Sequence, residues 1–191
     1  SKAKAQATYD KISRWYDLLE GIWEEKAREA GLRRLGVRAG ERVLEIGFGP
    51  GHDLVALAQS AGETGKVYGI DLSPRMLSIA RTRVNDKGFA GRVDLRRGDA
   101  VRLPFETDFF DALFMSFTLE LFDTPEIPQV LSECHRVLQR GGRICIVSLS
   151  KVDGANWMRN LYEWGHVRFP NLLDCRPIYV EQALRDAGFQ F

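Results

Sequence analysis

The chain has 191 residues, 45% of them hydrophobic, with 27 Lys and Arg against 26 Asp and Glu, so one core of a single domain is expected and no nucleic-acid partner, since the basic excess such a partner demands is absent. Three cysteines without CxxC spacing, Cys134, Cys145 and Cys175, argue against a disulfide framework or a zinc site. No apolar run approaches the roughly 18 residues of a membrane span and no apolar signal core opens the chain, which predicts a cytoplasmic protein with no transmembrane segment and no metal.

In chain order, Ile12, Trp15, Tyr16 and Leu19 fall at helical spacing, and a second helix is expected from about Trp23 to Leu35, stopped by Gly36. A first strand is expected at Arg42 to Ile46, a helix from about Gly51 to Ala61, and a second strand at Lys66 to Ile70. Ser73 and Pro74 occupy N-cap and N1 of a helix running to about Asp86. A third strand is expected at Val93 to Arg97. Asp111 to Ser116 is a nearly unbroken apolar run suited to the middle of a parallel sheet. Ile127, Val130, Leu131, Cys134, Val137 and Leu138 predict a helix ended by Gly141-Gly142, with a fifth strand at Arg143 to Leu149. An aromatic segment, Asn156 to Pro170, precedes a helix at about Ile178 to Ala187, and Phe189-Gln190-Phe191 reads as the start of a sixth strand. The alternation of strands and helices is that of an α/β fold.

Three acids stand at strand ends. Glu45 precedes the turn Gly47-Phe48-Gly49-Pro50-Gly51, where glycines permit positive φ and close backbone approach, and the following helix offers free N–H groups. Such a turn is either a tight connection or a ligand loop. A dinucleotide site requires Gly-x-Gly-x-x-Gly, yet position 52 is His52. A carboxylate at Glu45 opposes a pyrophosphate but suits an amine or sulfonium ligand. Asp71, 20 residues past Gly51, is placed to accept both ribose hydroxyl protons. Asp99, followed by Ala100 and by Leu103-Pro104-Phe105, sets a carboxylate beside an apolar slot of the kind adenine fills.

The motifs Tyr9-Asp10 through Tyr16-Asp17, Val43 to Gly51, Gly69-Ile70-Asp71-Leu72-Ser73, Gly98-Asp99-Ala100 and Arg136 to Gly142 resemble those of the class I S-adenosylmethionine-dependent methyltransferases, particularly the branch with the ubiquinone and menaquinone C-methyltransferases. The resemblance covers about Tyr9 to Leu149. It implies a doubly wound, mostly parallel Rossmann-like sheet in the order 3-2-1-4-5-7-6, with helices on both faces, and so a sequence stopping short of its last strands and of the natural protein. It implies S-adenosyl-L-methionine as cofactor. Glu45, Gly47, Phe48, Gly49 and Gly51 would hold the methionine moiety, Asp71 and Leu72 the ribose, and Asp99 and Ala100 the adenine. Ser116 and Phe117 would line the substrate-facing side, and Met76 completes the cofactor set. Tyr9 and Tyr16 would be lid residues on N-terminal helices within residues 1–40, unless they pack in the core.

An Arg-Asn pair shortly after the fourth strand, present in the quinone enzymes, is replaced here by Thr118-Leu119-Glu120-Leu121-Phe122. The expected partner is therefore a small-molecule methyl acceptor of lipid-like, aromatic or amine type, approached by Tyr9, Glu120 and His166. The position of Glu120 favours solvation of a helix start over contact with the acceptor. The segment 150–177, with Trp157, Tyr162, Trp164 and Phe169, would build an acceptor pocket or a packed loop, and Lys151, Arg168 and Arg176 would bind an anionic head group or be solvated. Cys134, His135 and Cys145 are read as packing residues. No catalytic base is assigned, because alignment of an in-line displacement supplies about 7–11 kcal/mol without one. The alternative function is a non-catalytic module that binds S-adenosylmethionine for regulation.

Overall fold

A computed structural model describes residues 24–148 and 180–190. The helix expected around Ile12 to Leu19, the aromatic segment with His166, and the residues Tyr9, Tyr16 and Cys175 lie outside the described residues. Residues 24–35 are helical (α1), and Gly36 ends the helix at φ +58°. There follow β1 (Arg42–Ile46), α2 (His52–Ala61), β2 (Lys66–Asp71), α3 (Pro74–Asp86), β3 (Val93–Arg97), β4 (Phe110–Ser116), a single 3-10 turn at Leu119–Leu121, α4 (Ile127–Val137), β5 (Leu138–Val147) and α5 (Val180–Asp186). The strands form one parallel sheet in the order β3-β2-β1-β4-β5, the expected order as far as the described residues extend.

Strand periodicity assigns the two faces. Leu44, Ile46, Tyr68, Ile70, Leu113 and Met115 pack with Val130, Leu131 and Cys134 of α4 and Val180 and Leu184 of α5. Val43, Val67, Val93, Leu95, Ala112 and Phe114 pack with Leu54, Leu57 and Ala58 of α2, Ala80 and Val84 of α3, and Leu35 at the end of α1. The fold is thus doubly wound, and Glu45, two residues after Val43, belongs to the face that α1 and α2 cover. Cys134 lies wholly inside, where burial pushes its thiol up to about 12. No described helix is long and apolar enough to cross a membrane.

The start of a sixth strand expected at Phe189-Gln190 is not formed at these two residues, where the Phe189 amide instead donates back to the Leu184 carbonyl of α5 at 3.0 Å. The end of α4 and the start of β5 also differ from expectation. Ser73 caps α3 as read, accepting from the Met76 amide at 3.3 Å, but Gly141-Gly142 do not end a helix. The helix stops at Val137, and β5 already pairs Leu138 with Phe110 before the register shifts and Arg143 pairs with Ala112. The four residues between form a bulge, with Gly141 at φ +77° and the Gln139 amide donating to Asp111. Glycine serves a bulge as readily as a helix end, and sequence periodicity does not separate the two.

Candidate functional site

Parallel strands deliver their C-terminal ends to one edge of the sheet, where ligands bind in this architecture. There a cavity of about 670 Å³ is walled by the ends of β1, β2, β3 and β4, the 3-10 turn, and α1. The turn after β1 is held by its backbone: the Gly47 amide donates to the Ile70 carbonyl at 2.8 Å and the Gly51 amide to that of Phe48 at 2.9 Å. Gly47 sits at φ +70°, and a Cβ there would run into the Thr118 side chain. Thr118 is fixed in turn, its hydroxyl donating to the Ser116 carbonyl at 2.8 Å. Asp71 joins two turns, its Oδ2 accepting from the Gly49 amide at 2.9 Å and its Oδ1 from the Ser73 amide at 2.8 Å. These bonds set the plane of its carboxylate and leave lone pairs for a ligand. Phe117, also lining the cavity, holds φ +47°, a left-handed conformation costly for a bulky residue.

Glu45 is 2% exposed, and its Oε2 is buried without a hydrogen-bond partner among the described residues. Burial first, then the charges of Asp53 and Asp71, pushes its carboxyl well above the usual range, with Arg28 pulling the other way. An orphaned carboxyl oxygen at a cavity wall is costly unless a group beyond the described residues pairs with it. A cation does so best. Asp53, in the first turn of α2, is also raised by burial, against the pull of Arg28, whose Nε lies 3.4 Å from Asp53 Oδ1. His52 is lowered by burial and by the positive charges of Arg83 and Arg28. A buried Ser116 hydroxyl is likewise without a hydrogen-bond partner.

Of the residues singled out in the sequence, Glu45, Gly47, Phe48, Gly49, Asp71 and Leu72 line this cavity, as do Met76, Asp99, Ala100, Ser116 and Phe117. Asp99 Oδ1 accepts from the Val101 amide at 3.1 Å, and Ala100 is buried beside it. Gly51 is not among the lining residues; at φ +81° it starts α2, and a Cβ there would stand 2.9 Å from Ala80 Cβ, so it packs α2 against α3. Glu120 is not among them either: the 3-10 turn directs it inward, 2% exposed, and presents Leu121 instead, 56% exposed and lining the cavity. The sequence reading missed Glu24, Arg28, His52, Asp53, Leu121, Phe122, Asp123 and Glu126, all lining residues. Adjacency to the glycine turn was a usable signal for His52 and Asp53. For Arg28 and Leu121 the sequence carries none, because their closeness is made by packing.

Residues 43–142, 100 of 191, match the family described as a methyltransferase domain. The demethylmenaquinone methyltransferase of Bacillus subtilis (strain 168) is 31% identical over 154 residues, 78% of this chain and 65% of that protein. That of Geobacillus kaustophilus is 34% identical over 148 residues, 75% and 62% respectively. The chain therefore spans slightly less than two thirds of the length of these curated relatives. A SAM-dependent methyltransferase from Aquifex aeolicus, 28% identical, superposes with a TM-score of 0.64 over 85% of this chain and 79% of its own.

Proposed function

The chain belongs to the class I S-adenosylmethionine-dependent methyltransferases and takes S-adenosylmethionine as its cofactor, and from that premise we propose that it methylates a small, uncharged acceptor of aromatic or lipid-like character. The observation that carries this reading is one cavity with two unlike stretches of lining: the orphaned carboxyl of Glu45, and the apolar side chains of Phe117, Leu121 and Phe122. Bound there, the cofactor supplies an electrophilic methyl group on a sulfonium with a neutral leaving group.

The chain's own residues hold and orient. Glu45 gains a partner for Oε2 when the cofactor's ammonium reaches it, Asp71 offers its remaining lone pairs to the two ribose hydroxyls, and Asp99 with Ala100 borders the adenine. Leu121, Phe117 and Phe122 exclude water from the acceptor side. Glu24, Asp123 and Glu126 along the same cavity disfavour an anionic acceptor. Positioning worth about 7–11 kcal/mol exceeds the roughly 10²–10⁴-fold that a general base contributes, so no base is required of these side chains. The demethylated menaquinone implied by the names of the relatives is one acceptor of this class; Thr118 to Phe122, without the Arg-Asn pair, is where this chain departs from such enzymes.

Calorimetric titration with S-adenosylmethionine, followed by a methyl-release assay on a demethylated naphthoquinol, simple phenols, unsaturated lipids and primary amines, tests the proposal. Binding with turnover on an aromatic or lipid acceptor is expected. Turnover on amines alone would remove the acceptor class, and binding without turnover on any acceptor by the full-length protein would leave the non-catalytic reading in its place.

A further inference from the structure

We infer that Glu133 and Arg136 of α4 act together as positioning residues: without lining the cavity, they hold the segment at its adenine end in the shape that discriminates the base. The inference rests on the reading of the cavity as an S-adenosylmethionine site with Asp99 and Ala100 bordering the adenine.

The crossover between β3 and β4, residues 98–109, contains no helix, although a parallel connection usually carries one. Its first residues, Gly98, Asp99 and Ala100, line the cavity, so the shape of an irregular segment decides where the base lies. Within 99–105 the backbone bonds itself once among the described residues, from the Arg102 amide to the Asp99 carbonyl at 3.2 Å. Partly buried backbone must find its other partners elsewhere, and α4 provides them.

Gln129, Glu133 and Arg136 follow one another at four and three residues, hence on one helix face, while Val130, Leu131, Cys134 and Val137 fill the core. Glu133 Oε2 accepts from the Leu103 amide at 2.8 Å. Arg136 donates from Nη2 to the Leu103 carbonyl at 3.1 Å and from Nη1 to that of Phe105 at 2.9 Å, and Gln129 donates to the Val101 carbonyl at 3.1 Å. The pair is also joined to itself, Nε to Oε1 at 2.6 Å and Nη2 to Oε2 at 2.7 Å, a two-pronged geometry that fixes both side chains. The Arg136 bond first, and with it the Leu103 amide, holds the Glu133 carboxyl below its usual range against the effect of burial. Leu103, gripped at both its amide and its carbonyl, is 3% exposed and belongs to the same core cluster as Ala100, which carries the constraint to the adenine edge. A segment held in this way keeps the Asp99 carboxylate where it accepts from an exocyclic amine and opposes an oxo group.

Calorimetry with two probes tests this: S-adenosylmethionine, and the analogue in which hypoxanthine replaces adenine and an oxo group replaces the amine. Wild type should prefer the first by roughly tenfold. In Arg136→Gln, affinity for S-adenosylmethionine should fall by a similar factor, since a misplacement of about 1 Å suffices for losses of this order. Affinity for the hypoxanthine analogue should change less than about threefold, so the preference collapses. Arg136→Lys, which can serve one carbonyl but not two in a fixed plane, should keep part of it. If Arg136→Gln does not fold, Glu133→Gln, which keeps the shape of its side chain, carries the same test with a smaller loss in the same direction. Retained binding of the analogue reports that a variant is folded. Equal loss for both probes, or a lower melting temperature with the preference unchanged, would reduce the pair to a structural tie and overturn the inference. A wild type that binds both probes equally would overturn this inference alone, whereas one that binds neither would remove the cofactor reading itself.

Discussion

The two walls of the cavity are built differently. The wall at the ends of β1 to β3 is mostly backbone: the turn from Gly47 to Gly51 is closed by its own amides, and Asp71 is clamped between Gly49 and Ser73. The other wall, from Ser116 to Glu126, presents side chains carried by a short turn and the residues that flank it. Backbone bonding fixes shape and resists substitution, whereas a wall of side chains on a short turn can change its specificity without disturbing the fold. Substitution should therefore cost stability and cofactor affinity on the first wall, and acceptor selectivity on the second.

Gly47→Ala should have the largest effect. It places a Cβ at φ +70° against Thr118, combining left-handed strain with overpacking, for a loss of roughly 2–4 kcal/mol in urea unfolding. A loss below about 0.5 kcal/mol would mean that the turn tolerates side chains and that the two walls do not differ as argued. Asp71→Ala should come next, weakening S-adenosylmethionine binding by about 1–3 kcal/mol in calorimetry. Unchanged affinity in a folded variant would remove the ribose assignment.

Glu45→Gln tests the charge of the first wall. The Glu45 carboxyl is raised well above its usual 4.5 by burial first and then by Asp53 and Asp71. Between the usual and raised values the folded state binds more protons at this site than the unfolded state does, so stability without cofactor is fullest below the usual value and falls as pH rises toward the raised one. Glu45→Gln should remove this slope and melt higher than wild type at alkaline pH. It should also weaken S-adenosylmethionine binding about tenfold. Because a cationic ligand favours the ionised form, wild-type affinity should increase with pH across the same window, with proton release detectable in buffers of different ionisation enthalpy. A pH-independent affinity in wild type would contradict the pairing of Glu45 with a cation.

The same contrast explains what the sequence disclosed. The first wall is local: Glu45 stands two residues before its turn, Ser73-Pro74 announces α3, and each acid lies within two residues of the end of a strand, so short motifs expose it. The second depends on tertiary packing. Glu120 and Leu121 are neighbours in sequence, but only the path of the 3-10 turn decides that Glu120 is buried and Leu121 faces the cavity. Arg28 belongs to a helix whose approach to the sheet is set by Gly31 against Phe114, a contact that no local pattern encodes. The early start of β5 escaped notice because a glycine pair within a bulge looks like a helix stop.

Leu121→Ser is the mildest change and the most direct probe of the second wall. Its side chain is 56% exposed, so the folded protein loses little packing when it is shortened, and unfolding free energy should stay within about 0.5 kcal/mol of wild type. Cofactor affinity should also hold, since Glu45 and Asp71 are untouched. An apolar acceptor seated against Leu121 would remove part of its exposed surface from water; at about 25 cal/mol per Å², some 40 Å² is worth about 1 kcal/mol, or roughly fivefold in kcat/KM. For an aromatic acceptor, kcat/KM should therefore drop about fivefold, largely through KM, with S-adenosylmethionine binding unchanged. If cofactor affinity falls as well, the two walls form one continuous site; if neither quantity moves, the acceptor does not touch this turn.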